Sequence, residues 1–125
     1  MNGSCLCGGV AFAVRCPPAG GTLCHCSQRR RQSGHVRASA VGPEDDPILG
    51  NDDTLHWCRG SNAAERGFRG VGGAFPFWRN DEENTLSLNL GAIDGPTDLR
   101  LQKHIFIAEK GDCYDIADGM PQRGN

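Results

Sequence analysis

The sequence has no long apolar run. Its longest uninterrupted stretch is Val10 to Val14, far short of the ~20 residues that a membrane-spanning helix needs. Nothing after Met1 resembles a basic n-region followed by an extended apolar segment, so no secretory leader or membrane association is expected, and the chain is placed in the cytoplasm. An excess of charge of one sign is also missing: 13 Lys and Arg stand against 15 Asp and Glu, a formal net charge of -2. That balance gives no general attraction to nucleic acid or to anionic membrane, and neither is expected as a partner. Aromatic residues are few. No Gly-rich phosphate loop sits between a strand and a helix, and no Ser/His/Asp set can be assigned from spacing.

Glycine and proline are plentiful, with 18 Gly and 7 Pro among 125 residues. They favour many turns over long helices. The hydrophobic residues make up 38%, and with Gly added the composition is that of a globular protein and not of a disordered tail. Length suggests one domain over residues 1–125. Its core is modest at this size, so a metal or disulfide staple would help it. Seven Cys is an odd number; without an export signal they read as free or metal-binding thiols in a reducing compartment.

Short strands are expected throughout. Val10, Phe12 and Val14 alternate with Ala11 and Ala13, the period of a half-buried strand. Leu23 to Cys26 follows a Pro/Gly-rich turn, and the Arg-rich stretch from Ser27 to Ser33 fits one or two helical turns. Val36 to Val41 reads as a strand that Gly42-Pro43 interrupts, and Leu55 with Trp57 marks another. A hairpin is predicted from Ala74–Arg79, a polar loop over Asn80–Asn84, and Thr85–Leu90, with Leu86, Leu88 and Leu90 on one face and Ser87 and Asn89 on the other. Pro76 suggests an edge or bulged strand there. His104 to Ala108 is the last predicted strand. The fold class is all-β, with at most one short helix.

Two Cys-x-Cys pairs stand out: Cys5/Cys7 in GSCLCGGV and Cys24/Cys26 in CHCSQRRRQSG. Such a pair in a turn aims two thiolates at one soft cation, and tetrahedral zinc takes three or four ligands of this kind. The second pair of ligands that each needs does not follow downstream, and Cys16, Cys58 and Cys113 are isolated. The residue inside a Cys-x-Cys pair normally points away from the metal, so His25, like His35, His56 and His104, reads as a hydrogen-bonded structural histidine. Arg29, Arg30 and Arg31, with Arg37 nearby, form the basic cluster. It is either a solvated face or an anion site, since guanidinium groups make paired, charge-assisted hydrogen bonds to carboxylate or phosphate.

Together these motifs resemble the glutathione-dependent formaldehyde-activating (GFA) family, whose relatives include centromere protein V. GSCLCGGVAFAV resembles the family's opening Cys-x-Cys strand, and CHCSQRRRQSG its Cys-His-Cys-x-x-Cys segment. ERGFRGVGGAFPFWR resembles its Phe-Cys-x-x-Cys-Gly segment, while LSLNLGAIDGP and HIFIAEKGDCYDIADGMPQ resemble its two C-terminal blocks. The resemblance implies a β-tent of small stacked antiparallel sheets and two zinc sites. One, structural, would join Cys5 and Cys7 to the later Cys-x-x-Cys; the other, catalytic, would use Cys24, Cys26 and a third Cys. It implies carbon–sulfur lyase chemistry that interconverts S-hydroxymethylglutathione with glutathione and formaldehyde, with a small thiol such as glutathione as partner. Arg29, Arg30 and Arg31 would lie within reach of the anionic substrate.

The chain departs from that pattern at the ligand positions. Arg29 stands at the third Cys position of the catalytic site, and Arg69 and Gly72 stand at both Cys positions of the second structural pair. Cys113 stands where the family usually has an aromatic residue. Both zinc sites are therefore expected to be incomplete and the lyase activity impaired. Two other readings remain at this point: a metal-poor pseudoenzyme or binding scaffold, in which Arg29 pairs with the thiols of Cys24 and Cys26, and a thiol-based sensor.

Overall fold

The computed structural model describes residues 1–51, 55–59, 61–69 and 76–125. Among the described residues, ten strands and one short helix follow one another as β1 (Asn2–Ser4), β2 (Ala11–Ala13), β3 (Gly21–Cys24), α1 (Ser27–Ser33), β4 (Arg37–Pro43), β5 (Ile48–Asn51), β6 (Leu55–Arg59), β7 (Ala64–Arg69), β8 (Phe77–Asn80), β9 (Thr85–Asn89) and β10 (Leu101–Ile105). Among the described residues no helix is long and apolar enough to cross a membrane. The all-β reading holds.

The strands form a three-stranded sheet, β1-β2-β5, and a seven-stranded sheet in the order β10-β3-β4-β9-β8-β7-β6. All pairings are antiparallel except β10 with β3, which is parallel. The core lies between the sheets. Val10, Phe12 and Val14 from the β2 segment meet Phe77, Leu86 and Leu88 from β8 and β9, together with Cys5 and Ile93. Phe12 and Phe77 pack edge to face with centroids 5.2 Å apart, a geometry aromatic pairs prefer.

Alternation along each strand of the large sheet separates two faces. Phe77 pairs with Leu88 on the core face, and Trp78 pairs with Ser87 on the other. That second face continues through Val41, Ser39 and Arg37 of β4 to Thr22 and Cys24 of β3 and Lys103 and Ile105 of β10. Ser87 is itself buried, so the alternation of β9 does not separate core from solvent. It separates core from a cavity.

Three expectations need correction. The last strand runs over Leu101–Ile105 and not over His104–Ala108, because Phe106 takes a left-handed conformation (φ 55°) and Ile107–Glu109 forms a 3-10 turn. β8 is no edge strand: it pairs with both β7 and β9, and Pro76 lies just before it, where its missing N–H breaks no ladder. Gly42-Pro43 does not interrupt β4, whose register with β9 continues to Pro43 opposite Thr85.

The helix is as short as its sequence suggests. Gln and Arg favour helix, and Gly34 ends it in a left-handed conformation (φ 85°) while its N–H donates to the Arg30 carbonyl at 2.9 Å. Such a C-terminal cap suits glycine, which has no Cβ to clash. The chain's final segment folds back along β10: the His104 N–H donates to the Pro121 carbonyl at 2.8 Å, and the Arg123 N–H to the His104 carbonyl at 2.9 Å.

Candidate thiol and guanidinium site

Cys24 ends β3 and Cys26 precedes α1, so the strand-to-helix turn carries both sulfurs. They line a cavity of about 620 Å³ on the second face of the large sheet, within the size range of small-molecule sites. Arg29, one turn into α1, and Arg37, opposite Cys24 on β4, stand in the same wall with Ser39, Ser87 and Trp78. The Arg29 guanidinium lies 5.0 Å from the Trp78 ring centroid, a cation–π contact. Arg30 and Arg31 do not line this cavity. The Arg30 Nε donates to the Glu109 carbonyl at 3.0 Å, which fastens the helix to the turn after β10, and Arg31 is exposed.

Burial sets the electrostatics. It pushes the Cys24 thiol above its ordinary value, and the Arg29 charge offsets this in part. Burial also lowers Arg29, followed by repulsion from Arg66, while the two thiols pull it back. Arg37 is pushed down to about 9, first by burial and then by Arg29. It keeps its proton at neutral pH. Arg37 donates from Nε to the Asn89 side chain and from Nη2 to the Ser87 carbonyl at 3.1 Å.

His25 is buried and turns to the opposite side of the Cys-x-Cys pair. Its Nδ1 meets the Tyr114 hydroxyl at 2.5 Å and its Nε2 meets Nδ1 of His104 at 2.8 Å. The His104 Nε2 in turn meets Asp118 at 2.8 Å. The reading of His25 and His104 as hydrogen-bonded structural histidines therefore describes them correctly. The ring of His35 packs edge-on against Tyr114, with centroids 4.4 Å apart.

The other Cys-x-Cys pair has a different setting. Cys5 is buried in the hydrophobic core, and its sulfur accepts the Val10 N–H at 3.2 Å; the exposed Cys7 sulfur accepts that of Gly9 at 3.4 Å. Arg69 ends β7, and Gly72 lies outside the described residues. Cys16, Cys58 and Cys113 are exposed.

A family model described as glutathione-dependent formaldehyde-activating enzyme matches residues 1–109. The chain belongs to the GFA family. A solved structure, the crystal structure of a Rhodobacter sphaeroides protein, is similar to this GFA chain with a TM-score of 0.64 and 20% sequence identity. It covers 82% of this chain and 100% of its own, and at that identity it speaks for the fold alone. No curated protein matches the sequence.

GFA proteins are generally associated with zinc, and this chain's residues do not fit the ion at the Cys24/Cys26 position. Zinc takes three or four thiolate, imidazole or carboxylate ligands. Among the described residues no group of three or more His, Cys, Asp or Glu side chains is arranged to hold a metal. The buried cation of Arg29 faces the two sulfurs instead, and His25 is engaged elsewhere.

Arg66 was not legible as a site residue. It is buried on β7, cross-strand from Trp78, and its Nη2 donates to the side chain of Gln28 on α1. In sequence it alternates like any solvent-facing arginine.

Proposed function

We propose that this GFA-family chain binds a small anionic thiol of the glutathione class in the cavity beside Cys24 and Cys26. Carbon–sulfur lyase activity on the thiol's hydroxymethyl adduct is impaired, because Arg29, Arg69 and Gly72 stand at three zinc-ligand positions. The observation that carries this reading is the buried Arg29 guanidinium beside the two thiols in the cavity wall.

Cleavage of a hydroxymethyl thioether needs no redox partner. The hydroxyl proton passes to solvent water, the C–O bond becomes the carbonyl of formaldehyde, the C–S bond breaks, and its electron pair stays on sulfur. Arg29 supplies a fixed positive charge for the thiolate that develops, the kind of preorganised electrostatic help that favours a transition state. Arg37, behind it on β4, adds charge for the acidic end of the ligand. A guanidinium in place of a third thiolate binds the anionic ligand but opposes a metal.

Zinc content, glutathione affinity and lyase rate, measured on wild type and on Arg29→Cys side by side, test the proposal. Wild type is expected to bind glutathione with less than one zinc per chain and to react slowly. Arg29→Cys is expected to gain zinc affinity and lyase rate together. A wild type that already holds one zinc tightly, with no gain in the variant, overturns it.

A further inference from the structure

Two groups stand out among the described arginines. Arg15 pairs with Asp46, Arg59 with Asp81 and Glu65, and Arg79 with Glu65 and Glu44. Among the described residues Arg29, Arg37 and Arg66 are the most buried arginines, at 7%, 8% and 3% exposure, and none has a carboxylate partner there. Their acceptors include no carboxylate: Gln32 at 3.4 Å and the Cys24 sulfur for Arg29, Asn89 and the Ser87 carbonyl for Arg37, and Gln28 for Arg66. The Nε and Nη1 of Arg66 are buried and find no acceptor among the described residues.

Even Arg37, pushed down to about 9, keeps its proton at neutral pH, so at neutral pH these guanidinium groups do not escape burial by neutralising. Three of them in one neighbourhood repel each other: Arg66 lowers Arg29, and Arg29 and Arg66 both lower Arg37. Arg29 and Arg37 line the cavity, and Arg66 is next to it, cross-strand from Trp78 and bonded to Gln28, which both line it; the wall adds Lys103 and Arg123 and the hydroxyl-bearing residues Thr22, Ser27, Ser39, Ser61 and Ser87, against one carboxylate side chain among the described lining residues, Glu109. The Glu109 carboxylate already accepts the Ser27 N–H at 3.3 Å. An uncompensated buried charge is costly, and a planar guanidinium fork matches the oxygens of an oxyanion.

We infer that Arg29, Arg37 and Arg66 form an oxyanion site, at which a compact phosphate, sulfate or carboxylate group supplies the missing negative charge. The site inverts the charge expected there, taking an anion where the family takes a cation. The oxyanion is either free or the acidic end of the thiol ligand. The inference rests on this cavity being the ligand site proposed above, and it does not depend on lyase activity.

The test is calorimetric titration of the full, zinc-free chain with inorganic phosphate and with sulfate at constant ionic strength set by chloride. Wild type is expected to bind saturably, and Arg37→Met and Arg66→Met to bind at least tenfold more weakly. Each substitution also removes an uncompensated buried charge, so the thermal midpoint without anion should hold or rise while the upward shift with phosphate is lost. If either variant fails to fold, Arg29→Met, on the short helix, gives the same comparison. Displacement of phosphate by glutathione but not by dithiothreitol supports the site as the receiver of the ligand's acidic end; phosphate binding that glutathione leaves undisturbed supports a free oxyanion. No saturable binding by wild type, or equal binding by wild type and variants, overturns the site. Glutathione binding without phosphate binding would remove the oxyanion site and leave the thiol proposal standing; the converse result would do the opposite.

Discussion

The Nε2 of His25 and the Nδ1 of His104 lie 2.8 Å apart in the interior, joining β3 and β10 across 79 positions of sequence. The chain of bonds has one consistent set of neutral tautomers. Asp118 only accepts, so the His104 Nε2–H donates to it; the His104 Nδ1 then accepts from the His25 Nε2–H, and the His25 Nδ1 accepts the Tyr114 O–H. This satisfies every ring nitrogen and ties the tail to the strand that carries Cys24.

Stability should therefore fall as the solution turns mildly acidic. Burial, and then the neighbouring His104, lower His25 below its ordinary value of 6.5. The unfolded chain takes up this proton first as pH drops, so the contribution is complete above about 6.5 and is lost as pH falls through the lower folded value. Thermal midpoints measured between pH 8 and pH 5 should decline, and a His25→Gln variant should start lower and decline less. A flat profile in wild type would contradict the lowered His25.

Removal of metal should leave the β structure intact. Cys5 packs among Val10, Phe12, Phe77, Leu86, Leu88 and Ile93, so apolar burial holds that turn without a closed zinc site. Circular dichroism of chelator-treated protein should match that of untreated protein. In the double variant Arg69→Cys with Gly72→Cys, zinc should raise the thermal midpoint; collapse of wild type on chelation would show that metal still holds the fold.

Phe77 joins the two sheets. It is buried, meets Phe12 edge to face and lies 6.4 Å from the Trp57 ring. Phe77→Ala should cost ~3–5 kcal/mol, a large share of the stability of a domain this size. Urea unfolding should show the midpoint move down sharply, with Phe77→Leu falling between the variant and wild type.

Gly34 holds the end of α1. A Cβ there meets open space, so the cost of Gly34→Ala is that of the left-handed backbone alone, ~1 kcal/mol or somewhat more. Gly42→Ala, also in open space but without a positive φ, should change stability by much less. Equal midpoints for the two variants would show that the helix cap contributes nothing.

Local sequence determined a good deal of this protein. The alternation of Val10, Phe12 and Val14, the Leu86/Leu88 spacing, the polar turn predicted over Asn80–Asn84 and the short run Ser27–Ser33 each report on their own neighbours, and the structure bears them out, with Asn80 moved from the turn to the end of β8. The ordered motifs from GSCLCGGV to HIFIA carried the family. What tertiary structure decided is where a strand's second face goes. Ser87 and Arg66 alternate in sequence as solvent-facing residues do, yet cross-strand register places both beside Trp78, Ser87 in the cavity wall and Arg66 buried next to it. Parallel pairing with β3 places β10 over Leu101–Ile105, and only that pairing brings His104 to His25. Polar alternation is the same whether the far side of a strand meets water or a pocket; the difference lies in partners that are distant along the chain, whose side chains carry no local trace of one another.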